Sequence, residues 1–268
     1  MDYQELIYSV SNHVLTITFN KPDKLNAFGP QIEREFREAL QRADADPDVR
    51  AIVITGTGRA FCVGADMGAL TNASESGVPG KKVEPAGKTI EANYERRLTY
   101  MLRISKPMIC AINGPVAGIG FSLTLFCDFR FMLDSANMST SFARRGLIAE
   151  HGTSWMLQQL IGPMNALDLL MTARKITGAE ADRMGLVRAR PAETLMKDVY
   201  EFAQDIADNC SPRSTGIIKR LVYDAMFQNL AEALVVAETE ELISFTSEDF
   251  KEGVAHFVQK RKPNFTGR

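Results

Sequence analysis

Histidine, cysteine and tryptophan are scarce in this chain, whose 268 residues hold three, four and one of them. Cys62, Cys110, Cys127 and Cys210 form no Cys-x-x-Cys pair, and His13, His151 and His256 add no ligand spacing to them. That scarcity speaks against a metal centre and against a disulfide framework. Three of the cysteines stand in apolar runs, where a thiol packs as a small hydrophobe, and such usage fits a reducing compartment. An excess of one charge is also lacking: 31 Lys and Arg against 33 Asp and Glu leave a net charge of -2. A nucleic-acid footprint needs a basic surplus, so none is expected. No apolar run is long enough to span a bilayer. The opening MDYQELIYSV has neither the basic-then-apolar pattern of a secretory leader nor that of a transit peptide. The expectation is a cytoplasmic protein with no resident metal, no membrane contact and no nucleic-acid partner.

What the chain does have is 45% hydrophobic residues and a length sufficient for one large core, with room for a smaller appendage. Residues 5–10 and 13–19 read as two strands around Ser11-Asn12, the second alternating with Leu15, Ile17 and Phe19 on one side. Pro22 and its polar neighbours make a loop. Ile32, Phe36 and Leu40 recur every four residues, which predicts a helix from Pro30 to Ala45. Residues 51–55 and 107–112 are short apolar runs of the kind that form buried strands, and 128–132 reads as another strand. Between them, 71–88 is polar and bears Gly and Pro, which reads as a mobile segment or a lid. Helices are expected over 90–104, 118–126, 153–160, 163–172 and 178–184, and then 195–208, 212–227, 230–244 and 249–259. Strands and helices followed by helices alone predict a mixed α/β core with a helical C-terminal part.

Three glycine-bearing turns each follow an apolar strand: Phe61-Cys-Val-Gly-Ala-Asp66, Asn113-Gly-Pro-Val-Ala-Gly-Ile-Gly120 and Gly146-Leu-Ile-Ala-Glu-His-Gly152. Glycine allows a backbone to approach a ligand closely. Two such turns aiming N–H groups at one point would make an oxyanion hole, and the third would add a carboxylate, Glu150. An acid beside Leu147, Ile148 and Ala149 would be partly desolvated, the setting that tunes a carboxyl for general-base work. The same residue also fits a plain helix N-terminal carboxylate stabilised by the macrodipole. His151, adjacent to it, is expected to point elsewhere and serve structure. Trp155, Phe121 and Phe126 read as core, while Arg144 and Arg145 are candidates for pairing with a carboxylate at an interface.

Taken together, these segments resemble the enoyl-CoA hydratase/isomerase (crotonase) family over essentially the whole chain. The resemblance is carried by Asn20-Lys-Pro-x-x-x-Asn-Ala27, Ala60-Phe-x-x-Gly-Ala-Asp66, Pro107-x-x-x-x-Ile-Asn-Gly114, Gly118-x-Gly with Cys127-Asp128 and Ser135-Ala136, Ala179-x-x-Ala-x-x-x-Gly-Leu-Val187, and Glu252-Gly-Val-x-x-Phe-x-x-Lys-Arg-x-Pro263. It implies an α/β spiral of strand-strand-helix units over 1–205 and a helical trimerisation subdomain over 206–268. It also implies a homotrimer or hexamer, and an acyl-CoA thioester as substrate. No further cofactor is implied, since coenzyme A belongs to the substrate. By the same resemblance the oxyanion donors are the backbone N–H groups of Ala65 and Ile119. Lys24, Ala27, Asp66 and Met67 would line the CoA nucleotide pocket, with Lys260 and Lys262 facing its phosphates. Hydratases of the family use two glutamates, and the matching positions here are Ser122 and Phe142. Glu150 instead matches the single acid of peroxisomal-type enoyl-CoA isomerases, in a Leu-Ile-x-Glu-x-Gly-Thr pattern. The resemblance therefore implies isomerisation through one carboxylate, with hydration or mere acyl-CoA binding as the alternatives.

Overall fold

Strand alternation and helical periodicity meet at the start of the chain and set its architecture. The computed structural model describes residues 3–77 and 85–268. Strands β1 (Leu6–Ser11) and β2 (Val14–Phe19) pair antiparallel with Ser11 opposite Val14. Asn12 and His13 both take positive φ in the turn between them, a conformation tolerated best by short polar residues. Helix α1 (Pro30–Ala45) starts on a proline at its first position and buries Ile32, Phe36, Ala39, Leu40 and Ala43. Then come β3 (Ala51–Gly56), α2 (Met67–Ser76), β4 (Met108–Ile112), β5 (Val116–Ala117), α3 (Ile119–Leu125), β6 (Phe129–Leu133) and β7 (Asn137–Ser139). The chain continues with α4 (Thr153–Thr172), β8 (Ile176–Thr177), α5 (Gly178–Arg183), β9 (Arg188–Arg190), α6 (Leu195–Asn209), α7 (Pro212–Asp224), α8 (Leu230–Ser244) and α9 (Glu248–Gln259).

One sheet runs β1-β2-β3-β4-β6-β9 and is parallel from β2 onward; a small second sheet runs β5-β7-β8. A parallel strand must be covered on both faces. In β3 the period of two sends Ile52 and Ile54 into the large core with α1, while Ala51 and Val53 meet Leu195, Val199 and Ala203 of α6 on the other face. All six β3 residues are buried.

The structure refines the sequence reading at several points. Residues 90–104 are not one helix but two 3-10 turns, Glu91–Tyr94 and Thr99–Arg103, separated by Leu98 at φ 69°. The polar stretch 71–88 begins as the last turns of α2 and so is not loop throughout; residues 78–84 of it lie outside the described residues. The short strands β5, β7, β8 and β9 were not foreseen. The expected boundary at 205/206 falls inside α6.

Candidate active site

The parallel strands β3 and β4 end side by side, and the loops leaving them are stitched together by backbone. The Phe28 amide donates to the Gly64 carbonyl at 2.8 Å, the Ala117 amide to Cys62 at 3.0 Å and the Gly118 amide to Ser139 at 3.2 Å. Gly64 and Gly118 both have positive φ (114° and 53°), which calls for glycine, and a Cβ on Gly118 would lie in ordinary contact with the Gly64 Cα at 3.6 Å. This stitching leaves two amides over. Among the described residues, neither Ala65 N–H nor Ile119 N–H donates to a protein acceptor, yet both residues line one cavity of about 260 Å³. Ile119 is the first residue of α3, where orphan N–H groups and the positive end of the helix coincide. Two uncommitted donors facing one cavity can hold a developing oxyanion.

Glu150 lines the same cavity. It stands at the head of a tight turn whose two central residues, His151 and Gly152, have φ of 58° and 76°. That is the type I′ pattern, closed by the Thr153 amide donating to the Glu150 carbonyl at 3.0 Å. The local surroundings differ from expectation. Ile148 is 77% exposed and Leu147 is exposed too, so the apolar tripeptide does not bury the carboxylate, whose side chain is 37% exposed. His151 differs as well. Its left-handed backbone folds the ring back, so that Nε2 lies 3.7 Å from Glu150 Oε2 and the ring lines the cavity rather than pointing elsewhere. Glu150 is not the helix cap either; Gly152 is.

The other acid lining this cavity, Glu33, is committed. Arg97 grips both its oxygens, Nε to Oε1 at 2.6 Å and Nη2 to Oε2 at 2.5 Å. Neither residue was foreseen: Glu33 reads as an ordinary exposed position on α1, and Arg97 falls where a regular helix was expected. Phe142 lines the cavity with an apolar ring. Ser122 is fully buried and does not line the cavity.

A second cavity of about 530 Å³ adjoins the first and shares Ala65, Leu70 and Arg145 with it. Lys24, Ala27, Asp66 and Met67 line it, so the structure brings these four together. Asp66 caps α2 through the Gly68 amide at 2.9 Å; that amide, aided by the Lys24 ammonium 3.4 Å away, holds its carboxyl below the usual range. Lys260 lies elsewhere, exposed at the end of α9, and lines neither cavity in this single chain. Arg144 donates to the Thr172 carbonyl at 2.9 Å. Trp155 stacks on Phe227, while Phe121 and Phe126 are buried in the core. Cys62, under the Ala65 loop, is buried and its thiol is pushed up to about 12, so it is no nucleophile. Among the described residues no cluster of three or more His, Cys, Asp or Glu side chains suits a metal, and no helix is long and apolar enough to cross a membrane.

Known proteins share the sequence pattern and the fold of this chain. The sequence model for enoyl-CoA hydratase/isomerase matches residues 9–268. The 1,2-epoxyphenylacetyl-CoA isomerase of Escherichia coli is 29% identical, with 98% of each chain covered. The enoyl-CoA hydratase EchA19 of Mycobacterium tuberculosis is 33% identical over 96% of this chain and 94% of its own. Among solved structures, an enoyl-CoA hydratase from Polaromonas superposes with a TM-score of 0.86 at 28% identity, covering 97% of this chain and 99% of its own.

Proposed function

Because this chain belongs to the enoyl-CoA hydratase/isomerase family, with the fold that goes with it, and processes acyl-CoA thioesters, we propose that it shifts a double bond in an enoyl-CoA. One observation carries the proposal. In the cavity that holds the two unpaired amides, Glu150 is the acid whose oxygens are not already bound by an arginine. The thioester carbonyl accepts from Ala65 N–H and Ile119 N–H. Glu150 removes a proton from C2, and the electron pair delocalises onto the thioester oxygen as an enolate. The same carboxyl then returns the proton at C4, leaving the double bond between C2 and C3. Atoms and charge balance with one proton carrier, and the two N–H groups stabilise the intermediate. The CoA nucleotide occupies the adjoining cavity beside Lys24, Ala27, Asp66 and Met67. Lys260 serves a CoA only from a neighbouring copy.

Hydration is the second reading, favoured by relatives that carry that name. It asks for groups that hold and deprotonate a water, and at the two positions where hydratases carry glutamate this chain has a serine sealed away from the cavity and a phenylalanine. Glu150→Gln keeps shape and hydrogen bonding but cannot accept a proton at neutral pH. We expect it to lower turnover of trans-3-hexenoyl-CoA by about 10²–10⁴-fold with acyl-CoA affinity nearly intact. Efficient hydration of crotonyl-CoA by the unaltered protein would favour the second reading. Acyl-CoA binding with no turnover of either substrate would mean a binding protein.

A further inference from the structure

Two hydroxyl groups connect the helix that carries one oxyanion donor to the turn that carries Glu150. Ser122 sits one turn into α3 from Ile119, and Thr153 is the first residue of α4; both are fully buried. Ser122 Oγ and Thr153 Oγ1 are 2.6 Å apart, and Thr153 Oγ1 is 2.6 Å from the Glu150 carbonyl oxygen. Each hydroxyl has one proton. A carbonyl can only accept, so the Thr153 proton goes to Glu150. Thr153 Oγ1 is then left to accept, and the Ser122 proton goes to it in preference to the Gly118 carbonyl at 3.3 Å. The order is fixed: Ser122 donates to Thr153, and Thr153 donates to the Glu150 backbone. The Thr153 amide donates to the same carbonyl at 3.0 Å.

We propose that Ser122 and Thr153 are positioning residues that lock the Glu150 turn in register with the oxyanion-donating end of α3. Ser122 touches no substrate. It replaces a glutamate of the hydratase pattern and is turned instead to holding the one remaining acid. The inference rests on the reading of Glu150 as the proton carrier. The reason such a device matters is geometric: the carboxylate must reach C2 and C4 of a substrate whose carbonyl is pinned by Ile119 and Ala65. Glu150 is half exposed on a two-residue turn, and its reach depends on that turn's direction. Displacements of about 1 Å in such a constellation cost on the order of 10²-fold in rate. This buried pair of hydroxyls in series ties the turn to α3 by hydrogen bonds, beside the packing of the Phe126 ring on Gly152.

The test uses Thr153→Val, Thr153→Ser, Ser122→Ala and the double variant Ser122→Ala/Thr153→Val, with Glu150→Gln alongside. Turnover of trans-3-hexenoyl-CoA and exchange of the C2 protons of hexanoyl-CoA into D2O are measured on each, with circular dichroism and thermal midpoint as folding controls. Thr153→Val is expected to lose about ten- to a hundredfold in kcat and in exchange rate with KM within about twofold. Thr153→Ser, which keeps the hydroxyl, should recover most of that loss. Ser122→Ala should lose less, and the double variant no more than Thr153→Val, because the two groups act in series. A folded Thr153→Val with kcat near normal overturns the proposal, as does Thr153→Ser performing no better than Thr153→Val. If Thr153→Val does not fold, Ser122→Ala decides: kcat within twofold of the parent overturns it. Near-normal exchange and turnover in Glu150→Gln would sink the proton-carrier reading itself. A dead Glu150→Gln beside unimpaired Ser122→Ala and Thr153→Val would sink the positioning alone.

Discussion

Gly120 shows how little freedom the site leaves to a single residue. A Cβ there would lie 2.4 Å from the Cys62 carbonyl oxygen and 2.8 Å from its Sγ, so even alanine forces α3 away from the loop that carries Ala65. Gly120→Ala should cost about 1–3 kcal/mol of stability, in the manner of an overpacked core. It should also lower turnover beyond what the loss of folded protein explains, because the separation of the two N–H donors changes with it. Denaturant melts and kcat on one preparation check both; unchanged stability would mean that the helix and loop yield without strain. The glycine turns and Glu150 were legible in sequence because a backbone approach requires glycine and a lone acid among apolar residues stands out. The partnership of Glu150 with His151 was not. It depends on the left-handed φ of His151, which no spacing rule reports, and the grip of Arg97 on Glu33 joins residues 64 apart.

Long, strongly patterned elements were readable, and short ones were not. The split of α4 at Gly162-Pro163 followed from the two residues least suited to helix interiors, and the structure shows Gly162 at φ 75° and ψ 163° there. Strands of two or three residues such as β5 and β8 carry too few side chains for a period to show. Helix α9 gives an acid-sensitive case. Arg261 forks onto Glu252 and the Asn264 amide donates to the same carboxylate, which together hold it down at about 2 from an ordinary 4.5. The depressed value sets the sign: the clasp contributes fully above pH 4.5 and is lost as pH falls towards 2. Amide exchange at Asn264, taken relative to its intrinsic rate at each pH, should therefore accelerate over that window. Glu252→Gln should make it fast already at neutral pH; an exchange rate indifferent to both would show that the clasp does not hold the tail.

At the scale of the molecule, the C-terminal helices are unfinished in a single chain. Helix α8 has no buried residue although Leu230, Leu234, Val235, Leu242 and Ile243 are all apolar, and Ile218, Val222, Phe257 and Val258 stand exposed on its neighbours. A helix in water needs an apolar face to bury, and exposed apolar surface on this scale marks an association face. We expect a homotrimer or a hexamer built from two, detected as three or six times 29.7 kDa by light scattering; a stable monomer at micromolar concentration would count against it. The walls of the candidate site belong to parts of the chain with different stability. The Ala65 and Ile119 amides come soon after β3 and β4 in the chain, two strands buried at every position at the centre of the sheet. Such strands open only with global unfolding, whereas Arg97 comes from an irregular run between two 3-10 turns, where local opening is cheap. Stiffness is thus graded across the cavity. The wall that carries the Ala65 and Ile119 amides is held to the lifetime of the fold, while the wall that carries Arg97 opens more cheaply and, on the proposed function, would adjust to differently shaped acyl groups without loosening those amides.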